Sequence, residues 1–188
     1  MTTVDVLGVV KEYRERSLRE VRGEVELNPP SEYFTLMDLL TPERPTFQEL
    51  NFEDIVYVAT FRLLRWSEPR ELGERAMSIV LFSAGRSLGE RAVESGLVKS
   101  VEDIAVFAYN QRIGLVDVVE LDEKKGLVHI YESISSAGIP NIGRAVCHFE
   151  RGFLAGVLSA LMKRKVYVSE VRCWGTGYTH DAFEIKFA

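Results

Sequence analysis

The sequence predicts an α+β fold, an antiparallel four-stranded sheet with helices packed on one face. Two pairs of apolar-alternating segments supply the strands, and segments with helical spacing of apolar residues precede and separate them. Strands joined as hairpins run antiparallel, and a layer of helices is the usual cover for one face of such a sheet. The chain has 188 residues, enough to bury about two thirds of its unfolded surface around one core.

Helices are expected first along the chain. Residues 3–22 place Val4, Leu7 and Val10 on one stripe, as in an amphipathic helix. Residues 25–52 hold four of the six prolines and are rich in aromatic residues. That composition predicts an irregular, partly helical connection that is apolar enough to pack against a partner subunit or against the domain itself.

Three further helices are predicted before the first strand. Residues 52–66, "FEDIVYVATFRLLRW", have mainly helical spacing. The next helix is expected to start at a cap, Ser67, with Pro69 in its first turn. The third opens with the capping-box pair Ser100 and Asp103.

The remaining segments predict two hairpin strands, one helix and two final strands. "IGLVDVVELD" and "GLVHIYESI" alternate and are joined by "EKK", which favours a hairpin. Residues 141–164 return to helical spacing, and "KVYVSEVRC" and "DAFEIKF" are again strand-like. The element order is therefore helices, two strands, helix, two strands.

Composition excludes several classes of protein. The formal net charge of −5 argues against a nucleic-acid partner, since binding to phosphates requires a basic face. The sequence has no apolar stretch of about 18 residues, the length of a membrane span. Its first residues lack the basic start and apolar segment of a signal peptide, so we expect a cytoplasmic protein without structural disulfides.

Glycines interrupt two predicted helices in pairs four residues apart. The pairs are Gly85 with Gly89 and Gly152 with Gly156. Each glycine costs about 1 kcal/mol relative to alanine inside a helix. A pair on one face removes side chains from a strip of the helix surface. The pattern predicts close packing of another helix, or alternatively a ligand lying against the strip.

A group of residues with metal-binding side chains lies near the end of the chain. Cys147, Glu170, Cys173 and His180 offer thiolate, carboxylate and imidazole ligands, which zinc binds tetrahedrally. Asp181 is an alternative to His180. Glu170 and Cys173 are three residues apart, which places them on opposite faces of a regular strand. The metal hypothesis therefore requires that the strand bulges or ends between them.

Simpler interpretations of the same residues stay open at this point. The two cysteines could be buried small apolar side chains or form a disulfide. Glu170 could pair with Arg172 or Lys165, and His180 could lie on the surface at a turn. Two cysteines without a C-x-x-C pair are a weak metal signature.

Short motifs in a fixed order resemble a known family. "SAGRSLGERA", "YES", "CHFERGFLAG", "VSEVRC" and the final "FEIKF" strand together resemble the four-vinyl-reductase domain, a small-molecule-binding family that includes archaeal hydrocarbon-binding proteins. The similarity covers residues 53–188. The resemblance therefore implies a ligand-binding domain there and leaves residues 1–52 as an extension that could contact a dimer partner.

The resemblance also implies a fold and a zinc site. The family shares its α+β fold with nitric-oxide-sensing haem domains and vesicle-tethering subunits, and it includes sensor domains of phenol- and xylene-responsive regulators. Those sensors hold zinc through residues that correspond to Cys147, Glu170 and Cys173. Their fourth ligand, a cysteine, is missing here, and His180 or Asp181 stands near its place. The implied zinc is structural.

The predicted function is binding of a small hydrophobic or aromatic ligand, as a sensor or carrier and as a homodimer. An enzyme is the less favoured alternative, either a reductase of tetrapyrrole-type metabolism or a metal-dependent enzyme, because the sequence has no G-x-G-x-x-G loop after a strand and no P-loop. A scaffold subunit resembling vesicle-tethering proteins is a further alternative. Aromatic side chains are candidates for the ligand pocket, although each also suits an ordinary core: Phe61, Trp66, Phe82, Phe107, Tyr109 and Phe153.

Overall fold

The computed structural model describes residues 6–48, 53–66 and 73–188. In these ranges the element order is a run of helices, two strands, one helix and two strands, as the sequence predicts. The helices in these ranges are α1 (Val6–Val21), α2 (Leu36–Leu40), α3 (Pro45–Gln48), α4 (Glu53–Trp66), α5 (Gly73–Glu94), α6 (Val101–Asn110) and α7 (His148–Met162). The strands are β1 (Leu115–Leu121), β2 (Lys125–Tyr131), β3 (Val166–Arg172) and β4 (Asp181–Phe187).

The four strands form one antiparallel sheet in the order β1-β2-β4-β3. The predicted α+β class and the four-stranded antiparallel sheet are therefore confirmed. In the register of β2 and β4, Ile130 lies opposite Asp181 and His129 lies opposite Ala182. Because successive side chains point to opposite faces, Asp181 shares the core face with Ile130, and His129 points to the other face.

The helices α6 and α7 cover the core face, where most buried apolar side chains lie, and α5 packs against α7. Phe107 of α6 and Phe153 of α7 stack there with ring centroids 5.9 Å apart. The sequence prediction placed helices on this face, and the structure adds α1 on the opposite face. Helix α1 docks there through apolar packing, such as the stacked rings of Tyr13 and Tyr131, and through polar contacts. Tyr13 donates a 2.7 Å hydrogen bond to Glu132, and Nε of Arg14 lies 2.8 Å from Asp117 Oδ2.

The two glycine pairs face each other where α5 crosses α7. A Cβ atom on Gly89 would lie 2.5 Å from both the Phe153 carbonyl oxygen and the Val157 nitrogen, and one on Gly85, Gly152 or Gly156 would lie even closer to the opposing backbone. The strips without side chains are therefore filled by helix backbone. The structure shows the close helix packing that the sequence favoured.

Buried arginines fix the loop that follows β2. Arg62 of α4 donates a 2.9 Å hydrogen bond to the carbonyl oxygen of Ile134 and a second bond to that of Ala137. Arg44 pairs with Asp54 at 3.2 Å, with both side chains fully buried. The two Arg62 bonds, and a bond from Arg44 to the Glu132 carbonyl, satisfy carbonyls that would otherwise be buried without partners. The Arg62 bonds also tie the loop to α4.

Some predicted boundaries change. The helix expected over 141–164 begins only at His148, because the preceding segment bonds elsewhere: the Ile142 and Arg144 amides donate to the Gly175 carbonyl at 3.0 and 3.1 Å. The capping box of Ser100 and Asp103 is confirmed. The predicted cap at Ser67 and Pro69 lies outside the described residues. Within the described ranges, no helix combines the length and apolarity needed to cross a membrane.

Candidate metal centre

Three predicted or alternative metal ligands meet beneath the start of α7. Cys147 is the N-cap of α7, Cys173 follows β3, and Asp181 opens β4. One ligand atom from each lies within 4.8 Å of the other two, and all three residues are fully buried. Both cysteines are free thiols. The structure thus brings together two thiols and a carboxyl group that are up to 34 residues apart in sequence.

The end of β3 has the irregularity that the metal hypothesis required. The pairing of β3 with β4 shifts register between Glu170 and Arg172, which indicates a bulge. After it, Cys173 begins a short 3₁₀ turn, Trp174–Thr176. The turn closes through Gly177, whose φ of +94° suits glycine. The break in the strand turns Cys173 toward the carboxyl group of Asp181.

Glu170 lies next to the group formed by Cys147, Cys173 and Asp181 but is not one of its three members. Its carboxylate accepts hydrogen bonds from the backbone amides of Val146, at 3.0 Å, and Cys147, at 3.0 and 3.2 Å. The Glu170 side chain also contacts the thiol of Cys173. It therefore fixes the backbone of the first cysteine while remaining next to the second.

Burial makes the three grouped side chains weak acids. Burial is the largest cause that raises the Asp181 pKa to about 8, followed by the nearby carboxylates of Glu150 and Glu170, while the Ser136 hydroxyl, 2.7 Å away, opposes the shift. The Cys147 pKa also rises well above its usual value, chiefly through burial. A bound divalent cation would compensate the negative charge that ionisation of these groups creates.

The Cys173 thiol responds in the same direction. Its hydrogen bond with Cys147 lowers its pKa, but burial and the carboxylates of Glu170 and Asp181 outweigh this effect and raise it. Two thiols and one carboxyl group, with a second carboxylate beside them, are a donor set that zinc accepts. The residues present therefore fit a zinc ion.

The structure places His180 away from this group. Its Nδ1 lies 3.0 Å from Oε2 of Glu20 in α1. His180 immediately precedes Asp181, and neighbouring residues of an extended strand point to opposite faces. Of the two candidates for the fourth ligand, the geometry favours Asp181.

Sequence reasoning did not find the polar groups that surround the site. Buried Glu150 of α7 accepts hydrogen bonds from the Ser133 and Ser135 hydroxyls, each at 2.8 Å, and Ser136 donates to Asp181. The run "SISS" from 133 to 136 is the one signal of this role. The serine hydroxyls of this run reach Glu150 and Asp181 only because the loop folds against them.

A groove of about 930 Å³ opens at the β1 edge of the sheet. It runs between α1, α6, β1 and the end of α7. None of the six aromatic residues proposed as pocket residues lines it; Phe107 and Phe153, for example, are packed in the core. Its apolar lining consists of Val10, Val101, Ala105, Val116, Val118, Val119, Leu121 and Met162.

Comparison with known proteins identifies the family. The model of the V4R domain matches residues 127–187. MJ1642, an uncharacterized protein of Methanocaldococcus jannaschii, is 30% identical over 131 residues, which are 70% of this chain and 78% of the relative. The chain belongs to the V4R domain family. The predicted resemblance to four-vinyl-reductase domains is thereby confirmed.

Solved structures also resemble this V4R domain protein. The phenol-responsive sensory domain of the transcription activator PoxR, crystallised with phenol, is 20% identical and has a TM-score of 0.59, covering 69% of this chain and 74% of its own. That level of identity shows a shared fold. A vinyl-4-reductase family protein from Methanocaldococcus jannaschii covers 100% of this chain and 99% of its own, with 17% identity and a TM-score of 0.48.

Proposed function

We propose that this V4R domain protein binds a small hydrophobic or aromatic molecule, as a sensor or carrier. The observation that carries the proposal is the groove at the β1 edge, whose volume and apolar lining suit a small apolar ligand. The shared fold with a sensory domain crystallised with phenol supports the same class of ligand. Charged side chains border the groove: Lys11, Arg14, Glu102, Asp117, Glu120, Asp122, Glu123 and Arg164.

Filling the groove tests this proposal. Ala105 of α6 lines the groove, whereas its neighbour Val106 is exposed and does not. We expect Ala105→Trp to abolish binding of phenol, m-xylene and naphthalene, measured by calorimetry, because the indole would occupy the ligand's volume. Val106→Trp, the matched control on the same helix, should bind as the unmodified chain does. Equal binding by both variants would refute this location.

We also propose that the fold is stabilised by one structural zinc ion held by Cys147, Cys173, Asp181 and Glu170. Four protein ligands complete a tetrahedron and leave no position for a substrate. The ion would join the start of α7 to β3 and β4, on the core face of the sheet. Its chemistry would be to neutralise the buried thiolates and carboxylates. The enzyme and scaffold alternatives remain predictions that the described residues do not specifically favour.

A homodimer is the proposed assembly. Several large apolar side chains of α4 and α5 are exposed, among them Val56, Leu64, Ile79 and Val80, and exposed apolar surface commonly marks an interface. We expect Leu64→Glu to convert a dimer to a monomer in sedimentation equilibrium. Leu97→Glu, a control at an equally exposed leucine after α5, should leave the dimer intact. A monomeric unmodified chain would contradict the proposal.

A further inference from the structure

A second pair of potential metal ligands lies on the sheet face opposite Cys147 and Asp181. His129 of β2 and His180, which precedes β4, are 2% and 1% exposed beneath α1. Their ring centroids are 4.8 Å apart, with the ring planes tilted by 44°. Because both rings are buried, each ring nitrogen needs a hydrogen-bond partner or a metal ion.

The hydrogen bond to Glu20 determines which nitrogen of His180 carries the proton. Nδ1 lies 3.0 Å from Glu20 Oε2. The Glu20 carboxylate also accepts hydrogen bonds from the Thr179 amide, at 3.1 Å, and from the Thr179 hydroxyl, so it acts as an acceptor toward His180 as well. Nδ1 therefore donates, and in this tautomer Nε2 presents a lone pair.

The same reasoning applies to His129. Its Nδ1 lies 3.2 Å from the hydroxyl of Tyr131, and that hydroxyl donates its own proton to Asp117. The Tyr131 oxygen can therefore accept from Nδ1, which leaves a lone pair on Nε2.

Both Nε2 atoms lack a counterpart. Each is buried and has no hydrogen-bond partner among the residues that the structure describes. A buried acceptor without a partner costs folding free energy, and here two such acceptors belong to adjacent rings. A group that satisfies two neighbouring lone pairs is either a bridging water or a cation.

We propose that His129 and His180 bind a divalent transition-metal ion that favours imidazole, such as Zn²⁺ or Ni²⁺, through their Nε2 atoms. Two imidazoles bound to one ion at about 2.1 Å have ring centroids about 5 Å apart, close to the observed 4.8 Å. Glu20 orients His180 as a carboxylate orients metal-bound histidines generally. This site is independent of the proposed zinc centre, which has sulfur ligands and lies on the other face of the sheet.

The chain has three histidines, so nitrogen NMR can follow the imidazole of each one separately and tests the site directly. Long-range ¹H–¹⁵N spectra of the full chain would be recorded while Zn²⁺ is added to two equivalents. We expect the Nε2 resonances of His129 and His180 to shift and those of His148 to stay unchanged. Unchanged resonances of both residues would overturn the proposal and indicate a bridging water. Cys173→Ser lacks one ligand of the proposed thiolate centre, so in this variant the same shifts should occur at the first equivalent. The titration of this variant therefore tests the histidine site separately from the thiolate site.

Variants add a quantitative test. Calorimetry of Ni²⁺ binding should show an affinity at least about tenfold weaker in His129→Gln, and about 10- to 100-fold weaker in Glu20→Gln, which loses the orienting carboxylate. His148→Gln is the control and should bind as the unmodified chain does. Wild-type affinity in a folded His129→Gln variant would also overturn the proposal. If that variant fails to fold, the NMR titration of the unmodified chain decides.

Discussion

Replacing Gly156 with alanine is expected to destabilise the protein by about 3 kcal/mol, since overpacking a close contact costs about 1–3 kcal/mol or more. A Cβ at Gly156 would overlap the Arg86 backbone of α5, and backbone cannot move aside as a flexible side chain does. Valine at this position should prevent folding, because natural domains are stable by only about 5–15 kcal/mol. Urea unfolding followed by circular dichroism measures both effects.

The sign of the effect separates packing from helix propensity. In an exposed helix, glycine to alanine stabilises by about 1 kcal/mol. A synthetic peptide of residues 148–163 should therefore become more helical with the same substitution, while the intact protein becomes less stable. A stabilised Gly156→Ala protein would mean that α5 and α7 do not touch through these glycines.

Removing the proposed zinc is expected to lower the melting temperature by more than about 10 °C. Structural zinc contributes about 10–16 kcal/mol in zinc-finger peptides. In a chain of this length each 1 kcal/mol of stability corresponds to about 2–4 °C, so a loss of only a few kcal/mol gives a shift of this size. Elemental analysis of replete protein should find one zinc fewer per chain in Cys173→Ser than in the unmodified protein.

A matched control uses the histidine next to the proposed ligand. His180→Gln, loaded with a single equivalent of zinc, should retain the ion, because its imidazole lies with Glu20 on the other face of the sheet. An unchanged zinc content of replete Cys173→Ser, together with loss of the single equivalent from His180→Gln, would reverse the assignment of ligands. An equal melting temperature with and without a chelator would refute a structural role.

Local patterns predicted the sheet well, and they also predicted one irregularity. The three-residue offset between Glu170 and Cys173 required a break in the strand, and a shift of register occurs there. The choice of Asp181 over His180 was also accessible from sequence. Phe183 and Ile185 alternate with Asp181 on one face of β4, and both belong to the core, so the period of two places Asp181 with them.

Features set by distant contacts could not be predicted. Residues 141–147 have helical spacing, yet the amides of Ile142 and Arg144 donate hydrogen bonds to the Gly175 carbonyl, which is about 30 residues away along the chain. The groove at the β1 edge depends on where α1 docks, and α1 is positioned by polar pairs such as Arg14 with Asp117. Aromatic content alone suggested a pocket around Phe107 and Phe153, but these rings stack on each other in the core.

The most direct test of the metal centre is X-ray absorption at the zinc edge, on protein loaded with one equivalent of zinc. We expect two sulfur ligands at about 2.3 Å and two oxygen ligands at about 2.0–2.2 Å, without the outer-shell scattering of an imidazole. Cys147 and Cys173 would supply the sulfurs, and Asp181 and Glu170 the oxygens. Imidazole scattering at this loading, or a spectrum without sulfur, would contradict it.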